Sequence, residues 1–444
     1  SESPRLEVVP PGAAEAEVSV RPDARDPQLW AIGNELEGAV ARVPRGLPDN
    51  DPSDIPTYSQ AGAQFGYSML WTMVFTLPLM TSIQNISARI GYVTGRGLAA
   101  NIKRAFPRPV LLGAVGLLLL ANTLNIAADF AAMAEALRLL LGGSAHLYAV
   151  TFGLVSLSLQ VFLPYRTYVA ALKWLTLALL AYVGVAFMVH LDWGEVLRRI
   201  ALPQLAPDRD TLLMVVAVFG TTISPYLFFW QAAQEVESRG AGRHQSRAEV
   251  RRHLRKMKWD TAIGMLFSNL VAFFIILATA ATLHAAGARE IQTSAQAAEA
   301  LRPVAGDAAF FLFALGIIGT GLLAVPVLAG SAAYAFAEAA GWDASLSLRL
   351  DRGEGRGFYG VIAVATLGGV ALCFTEVDPV RELFWSAVLN GVIAVPIMAV
   401  MMLLVTRESM MGPHVIGRGL RWLGWAATAA MASVVLALGI ASLA

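Results

Sequence analysis

The sequence predicts an all-α polytopic membrane protein, on three observations. Of 444 residues, 56% are apolar and 15% charged, with a mean hydropathy of +0.59. A soluble domain carries about 25% charged residues. Apolar segments near the roughly 20 residues needed to cross a bilayer recur along the whole chain. Lys and Arg, finally, collect in alternate loops, as they do when one side of a membrane holds them back. The same composition excludes other classes. Lys plus Arg total 33 and Asp plus Glu 32, which leaves no basic surplus for a nucleic acid. The lone Cys373 makes neither an internal disulfide nor a CxxC metal site.

Taken in order, residues 1–28 are rich in Pro, Ala, Glu and Arg without an apolar h-region, and read as a disordered tail rather than a signal peptide. A weak span candidate follows at about 30–63. Ten stronger ones lie near 65–88, 109–131, 147–164, 168–190, 211–233, 261–283, 308–337, 359–374, 384–405 and 422–443. The loop 94–108 holds Arg96, Lys103, Arg104 and Arg108, and the loop 238–258 carries eight Lys or Arg residues from Arg239 to Lys258. Arg349, Arg352, Arg356, Arg407, Arg418 and Arg421 lie in two further loops, while 285–306 and 375–382 are sparse in positive charge. Counting eleven spans puts all the basic loops on the side of the N-terminus. The expected topology is therefore eleven spans with the N-terminus cytoplasmic and the C-terminus outside.

Two segments should not be continuous helices. Pro48, Pro52 and Pro56 stand at four-residue spacing in "LPDNDPSDIPTYSQAG", and each removes a backbone donor and clashes with the preceding turn. Gly220 and Pro225 interrupt the apolar run "FGTTISPYLFFWQ" of the sixth span. Interrupted helices at corresponding places in two halves point to a transporter site at the bilayer midplane. Asp49, Asp51 and Asp54 cluster at the first break. Carboxylates held together repel unless one protonates or a cation sits between them. Spacing alone also allows a polar loop wholly outside the membrane. At the second break Thr221, Thr222 and Ser224 offer hydroxyl and freed carbonyl oxygens, although small hydroxyl residues also simply help helices to pack.

With these residues the chain resembles the NRAMP family of divalent-metal transporters. Asp51-Pro52-Ser53-Asp54 stands where the family has Asp-Pro-Gly-Asn, and "AGAQFGYSMLW" (61–71) follows it. "ISARIGYVTGRGLA" (86–99), "IAADFAAMAEAL" (126–137) and "GTTISPY" (220–226) continue the likeness, which covers about residues 50–405. The resemblance implies a LeuT-type fold of two inverted five-helix repeats, 29–190 and 211–405, plus an eleventh helix at 422–443. It also implies alternating-access transport of a divalent cation bound by Asp51, Asp54, backbone oxygen near Thr221 and the Ser224 hydroxyl. Tyr226, Asp129, Gln231 and Asn390 would line the pathway or back the ligands.

The departures narrow the expectation. The family's metal-ligating methionine of the sixth helix is Ser224 here, and in that loss of the sulfur ligand the chain resembles the family's magnesium-type branch. A thioether suits softer transition metals, whereas oxygen ligands with retained water suit Mg²⁺ and still admit Mn²⁺. Of the family's proton-relay positions Asp129 is kept, but two others are Asn122 and Ala132, and the histidine is Tyr226. Asn and Ala do not titrate, so weak or absent proton coupling is expected. Glu135, nearly two turns past Asp129, is the alternative relay, and Asp129 is equally a structural partner for a positive group. The first half-helix, 29–49, is amphipathic and carries Arg42 and Arg45, which would repel a cation. That feature sustains the alternative of a transport-inactive sensor or scaffold, while the broken helices leave a LeuT-type carrier of an organic solute as the other alternative. Asn390-Gly391 before Pro396 reads as a local unwinding or a packing detail, and Gly316, Gly319, Gly321 and Pro326 as a kinked, closely packed eighth span. Asp260 and Asn269 are expected to be satisfied by neighbouring helices. The six histidines form no HExxH, and no GxSxG, P-loop or GxGxxG stands in a suitable context, so enzyme chemistry has no support and no cofactor is expected. The expected partners are the metal ion and the lipid bilayer, with the chain a monomer.

Overall fold

The computed structural model describes residues 54–162, 172, 175–203, 208–239, 247–291, 293–346, 348, 354–374 and 379–443. Among these residues there is helix and turn but no strand. Helix α1 (Asp54–Phe65) leads through a 3-10 turn (Gly66–Met69) into α2 (Leu70–Thr94), and the short α3 (Leu98–Ala105) follows. Pro107 and Pro109 open α4 (Arg108–Leu141), where a missing N–H costs nothing. Next come α5 (Ala145–Phe162), α6 (Leu180–Met188) and α7 (Trp193–Ala201). The side chain of Asp192 caps α7, accepting from the amides of Gly194 and Glu195 at 3.0 and 3.2 Å. Asp208 caps α8 (Arg209–Thr222) in the same way. The Thr211 amide, 2.8 Å away, holds the Asp208 carboxyl below the usual carboxylate range.

After α8 the chain continues as α9 (Pro225–Arg239), then α10 (Arg247–Thr279), which closes in a π turn at Ala280–His284. Helices α11 (Ala309–Ala340), α12 (Arg356–Leu372), α13 (Pro379–Val405) and α14 (Arg418–Leu443) complete the bundle. Among the described residues seven helices are long and apolar enough to cross a membrane, counting α8 and α9 as one span. The count is eight if residues 177–188 and α7, bent by 115°, form one interrupted span. Helix α2 has the length but is diluted by Gln84, Asn85 and Arg89. The α8–α9 span is the most deeply buried and α5 and α14 the least, so the interrupted segment sits at the centre and the outer helices face lipid.

The later spans are more regular than their glycines and prolines suggest. Helix α13 runs unbroken through Asn390, Gly391 and Pro396, so of the two readings the packing detail holds there and the unwinding does not. The neighbouring helices supply the reason: Asn390 is bonded across to α4, and Gly391 lies against the Val216 carbonyl of α8. Helix α11 likewise continues through Pro326, and a side chain at Gly319 would stand 2.4 Å from Leu175, which accounts for the glycines there as close packing. Asn269 is satisfied from α2, donating to the Met73 carbonyl at 2.7 Å. The half-helix 29–49, with Arg42 and Arg45, lies outside the described residues, as does the start of the 168–190 span.

Candidate functional site

The sixth span breaks where the sequence places its glycine and proline. Helix α8 ends at Thr222, Ile223 takes a non-helical conformation at φ −117° and ψ 60°, and α9 begins at Pro225. Pro225 lacks the N–H that would continue the ladder and pushes the residue before it out of the helical region. The break is buried: Thr221, Thr222, Ser224 and Tyr226 are all nearly inaccessible. A break inside the bundle must satisfy its freed carbonyls locally. Ser224 does this, its hydroxyl donating to the carbonyls of Gly220 at 2.7 Å and Thr221 at 3.0 Å. With its hydrogen so placed, the Ser224 oxygen keeps lone pairs for an acceptor role, and it polarises two carbonyls beside it.

The break faces helix α1. Thr222 donates to the Val218 carbonyl at 2.5 Å, so the 2.9 Å bond between Tyr58 and Thr222 is donated by the tyrosine. Tyr58 therefore ties the helix that follows the acidic run to the last turn of α8. Asp51 lies outside the described residues. Asp54 is the first residue of α1, one turn before Tyr58, and only its backbone is among the described atoms. Tyr58 escaped sequence reasoning, although its place at i+4 from Asp54 was a signal for it.

Helix α4 presents a polar stripe to the same interior. Asn122, Asn125 and Asp129 stand at i, i+3 and i+7, and all three are buried. Asn122 donates to the Leu328 carbonyl at 2.8 Å and the Ser331 hydroxyl at 2.7 Å, tying α4 to α11. Asn125 and Asn390 exchange amide bonds at 3.1 and 3.2 Å, tying α4 to α13. Asn125 was also missed, since its partner lies 265 residues away. Glu135 points elsewhere and forms a two-pronged ion pair with Arg138 at 2.7 and 2.8 Å. Gln231 is half-buried on α9, past the break. Among the described residues no three His, Cys, Asp or Glu side chains gather to hold a metal.

The Asn125–Asn390 pair is testable by its asymmetry. Asn390→Leu alone strands a buried amide and is expected to cost about 1–2 kcal/mol. The double change Asn125→Leu with Asn390→Leu removes both partners and should recover most of that loss. Thermal unfolding of the purified variants decides it, and equal losses in single and double variants would contradict the reciprocal pair.

A helical bundle built round a buried, interrupted central span is the LeuT-type architecture of membrane transporters. Within that class the chain belongs to the Nramp family: the family model described as natural resistance-associated macrophage protein-like matches residues 46–441. Among its relatives is a protein of Klebsiella pneumoniae subsp. pneumoniae named divalent metal cation transporter MntH, 27% identical over 419 residues, or 93% of this chain and 94% of that one. The like-named protein of Yersinia pestis (strain Pestoides F) is 31% identical over 303 residues, covering 66% of this chain and 69% of the relative. In fold, the chain is similar to a mutant of the Eremococcus coleocola manganese transporter, with a TM-score of 0.70 at 19% identity over 93% of this chain and 87% of that one. It is also similar to Mhp1, a nucleobase-cation-symport-1 family transporter in a closed conformation, with a TM-score of 0.54 at 14% identity over 90% and 93% of the two chains.

Proposed function

We propose that this chain moves a divalent cation across the bacterial inner membrane by alternating access, with Mg²⁺ its preferred cargo and Mn²⁺ a second. The ion is held by Asp51 and Asp54, a backbone oxygen near Thr221 and the Ser224 hydroxyl, with waters completing the shell. Family membership and the names of the relatives, divalent metal cation transporters and a manganese transporter, support the cargo class. The observation that carries the reading is the buried break at Ile223–Ser224, an oxygen-lined interruption tied through Tyr58 to the helix that Asp54 begins. Oxygen in place of sulfur at position 224 supports a hard ion that keeps part of its water.

Proton coupling is weak or absent in this reading. The Asn122 amide is engaged with α11, position 132 is alanine, and Glu135 is paired with Arg138. Asp129 alone of the family's relay positions remains acidic. A divalent ion needs no proton to drive it inward, because two charges gain roughly 5 kcal/mol per 100 mV of inside-negative potential. The topology that fits is eleven spans with the N-terminus cytoplasmic and the C-terminus outside, working as a monomer.

Flux into liposomes tests this, with Mg²⁺, Mn²⁺ and Ca²⁺ supplied in parallel and internal pH followed by a trapped dye. Mg²⁺ entry that rises with an inside-negative potential and leaves the internal pH unchanged is expected. Acidification in step with metal entry would overturn the uncoupled reading. Folded protein that carries none of the three ions would overturn the transport reading itself.

A further inference from the structure

The basic start of α10 differs from three other positive charges at its end of the bundle. Arg239 donates to the carbonyls of Tyr92 and Val93 at 2.9 and 3.0 Å, Lys103 to that of Ala339 at 2.8 Å, and Arg407 to that of Ala105 at 2.8 Å. Each of these cations closes the end of a helix, where it offsets the carbonyl dipoles. Arg251, Arg252, Arg255, Lys256 and Lys258 do not: all are exposed, and none forms an ion pair or hydrogen bond with a described residue. Their placement on the helix is specific. Trp259, Ile263, Leu266, Phe267 and Leu270 form an exposed apolar stripe at helical spacing, the face that α10 turns to lipid. Read back toward the N-terminus, that stripe continues into Lys256, Arg255 and Arg252. With 1.5 Å of rise per residue, these cations lie about 4–11 Å beyond Trp259. Tryptophan marks the boundary between acyl chains and headgroups, and the next turn and a half occupies the phosphate layer.

The opposite face of the same segment is fixed. Leu254 and Met257 pack on Ala88 and Tyr92, and the His253 ring stacks on Tyr92 at 3.9 Å and lies 3.0 Å from Glu235 of α9. The cations are thus held on a rigid helix rather than on a loop, and the helix is joined to the ends of α2 and α9.

We propose that Arg252, Arg255 and Lys256 form a binding site for the anionic headgroup of a phospholipid in the cytosolic leaflet, with its acyl chains along the Trp259–Leu270 stripe. The charge is complementary, and the apolar stripe selects a lipid over a free phosphate. A signal that only orients the protein during insertion needs no such register between cations and stripe, and holds no lipid afterwards. Occupancy clamps the start of α10 against α2 and α9, the latter being the second half of the interrupted span. The site rests on the cytosolic assignment of this end but not on what the protein carries.

Delipidated full-length protein in neutral detergent provides the test, with phosphatidylglycerol, phosphatidylcholine and inorganic phosphate each added in turn. Bound lipid is counted by native mass spectrometry and stabilisation read by thermal melting. Phosphatidylglycerol is expected to stay bound and raise the melting temperature, and the other two are not. Each cation near the surface contributes about fivefold, so R252Q/R255Q/K256Q should lose about a hundredfold in apparent affinity. A charge-matched variant, R96Q/R104Q/R108Q, should bind as the unaltered chain does. Equal retention of the two phospholipids by the unaltered protein overturns the proposal whether or not the variants fold. So do equal losses in the two triple variants, or stabilisation by phosphate alone. None of these readouts uses metal flux, so lipid binding is decided independently of whether the transport assay succeeds.

Discussion

Gly220→Val is expected to damage the fold more than any other single methyl-bearing substitution in the sixth span. A Cβ at position 220 would stand 2.0 Å from the Ala387 carbonyl oxygen, 2.5 Å from the Gly391 nitrogen and 2.8 Å from its Cα. All three atoms are backbone, so no side chain can rotate away. On the other side, Gly391 faces the Val216 carbonyl, and a Cβ there would come within 2.8 Å of it. The two glycines let α8 and α13 pass at backbone contact, the packing that small residues permit in membranes. A valine forces the helices apart. Overpacking costs about 1–3 kcal/mol where side chains can shift, and the upper end or beyond is expected here because they cannot. The displacement reaches the break three residues later, so the Tyr58–Thr222 bond should fail with it. Melting of the purified variant is the measurement, with Gly439→Val as reference, since nothing lies within 4 Å of a Cβ at Gly439. Equal melting temperatures for the two variants would show that α8 and α13 do not meet as described.

The break was legible because it stands at the place that corresponds to the interrupted first span, not from its proline alone. Gly220 and Pro225 stand in one apolar run, and a proline acts on its own turn and the one before it wherever it is placed. Pro78, Pro326 and Pro396 carry the same chemistry yet lie inside continuous helices. Neighbouring helices absorb the lost hydrogen bond there, and no short-range signal tells the two outcomes apart. Composition and loop charge were enough for the all-helical class, and motif order was enough for the family. The Asn125–Asn390 and Tyr58–Thr222 bonds were not readable, because each joins residues more than 160 positions apart. The basic loops were half-read. Their charge sets an expectation for the side they face, but the sequence does not separate Arg239, Lys103 and Arg407, which close helix ends, from the exposed cations of α10.

Ser224→Met and Asp51→Ala should separate the identity of the bound ion from the binding itself. In the proposed site Ser224 does two things: it offers an oxygen to the ion, and it bonds the Gly220 and Thr221 carbonyls. Methionine ends both. The thioether donates no hydrogen bond, so the two carbonyls lose their partner, and the ion meets a polarizable sulfur instead of a hydroxyl. Mg²⁺ gains little from sulfur, whereas Mn²⁺ and more strongly Cd²⁺ accept it. The order of preference is therefore expected to reverse, with Mg²⁺-dependent stabilisation and flux falling while Cd²⁺-dependent stabilisation rises. Asp51→Ala instead removes a full negative charge that every divalent ion needs, and should abolish stabilisation by all of them. Ser224 is buried, so metal-free melting must first show that the methionine is accommodated. Metal-dependent melting then reads both variants on one scale. An unchanged ion order in a folded Ser224→Met protein would remove Ser224 from the ligand set, leaving it the role of holding the broken helix together. A folded Asp51→Ala protein that still responds to Mg²⁺ would move the site away from the first break altogether.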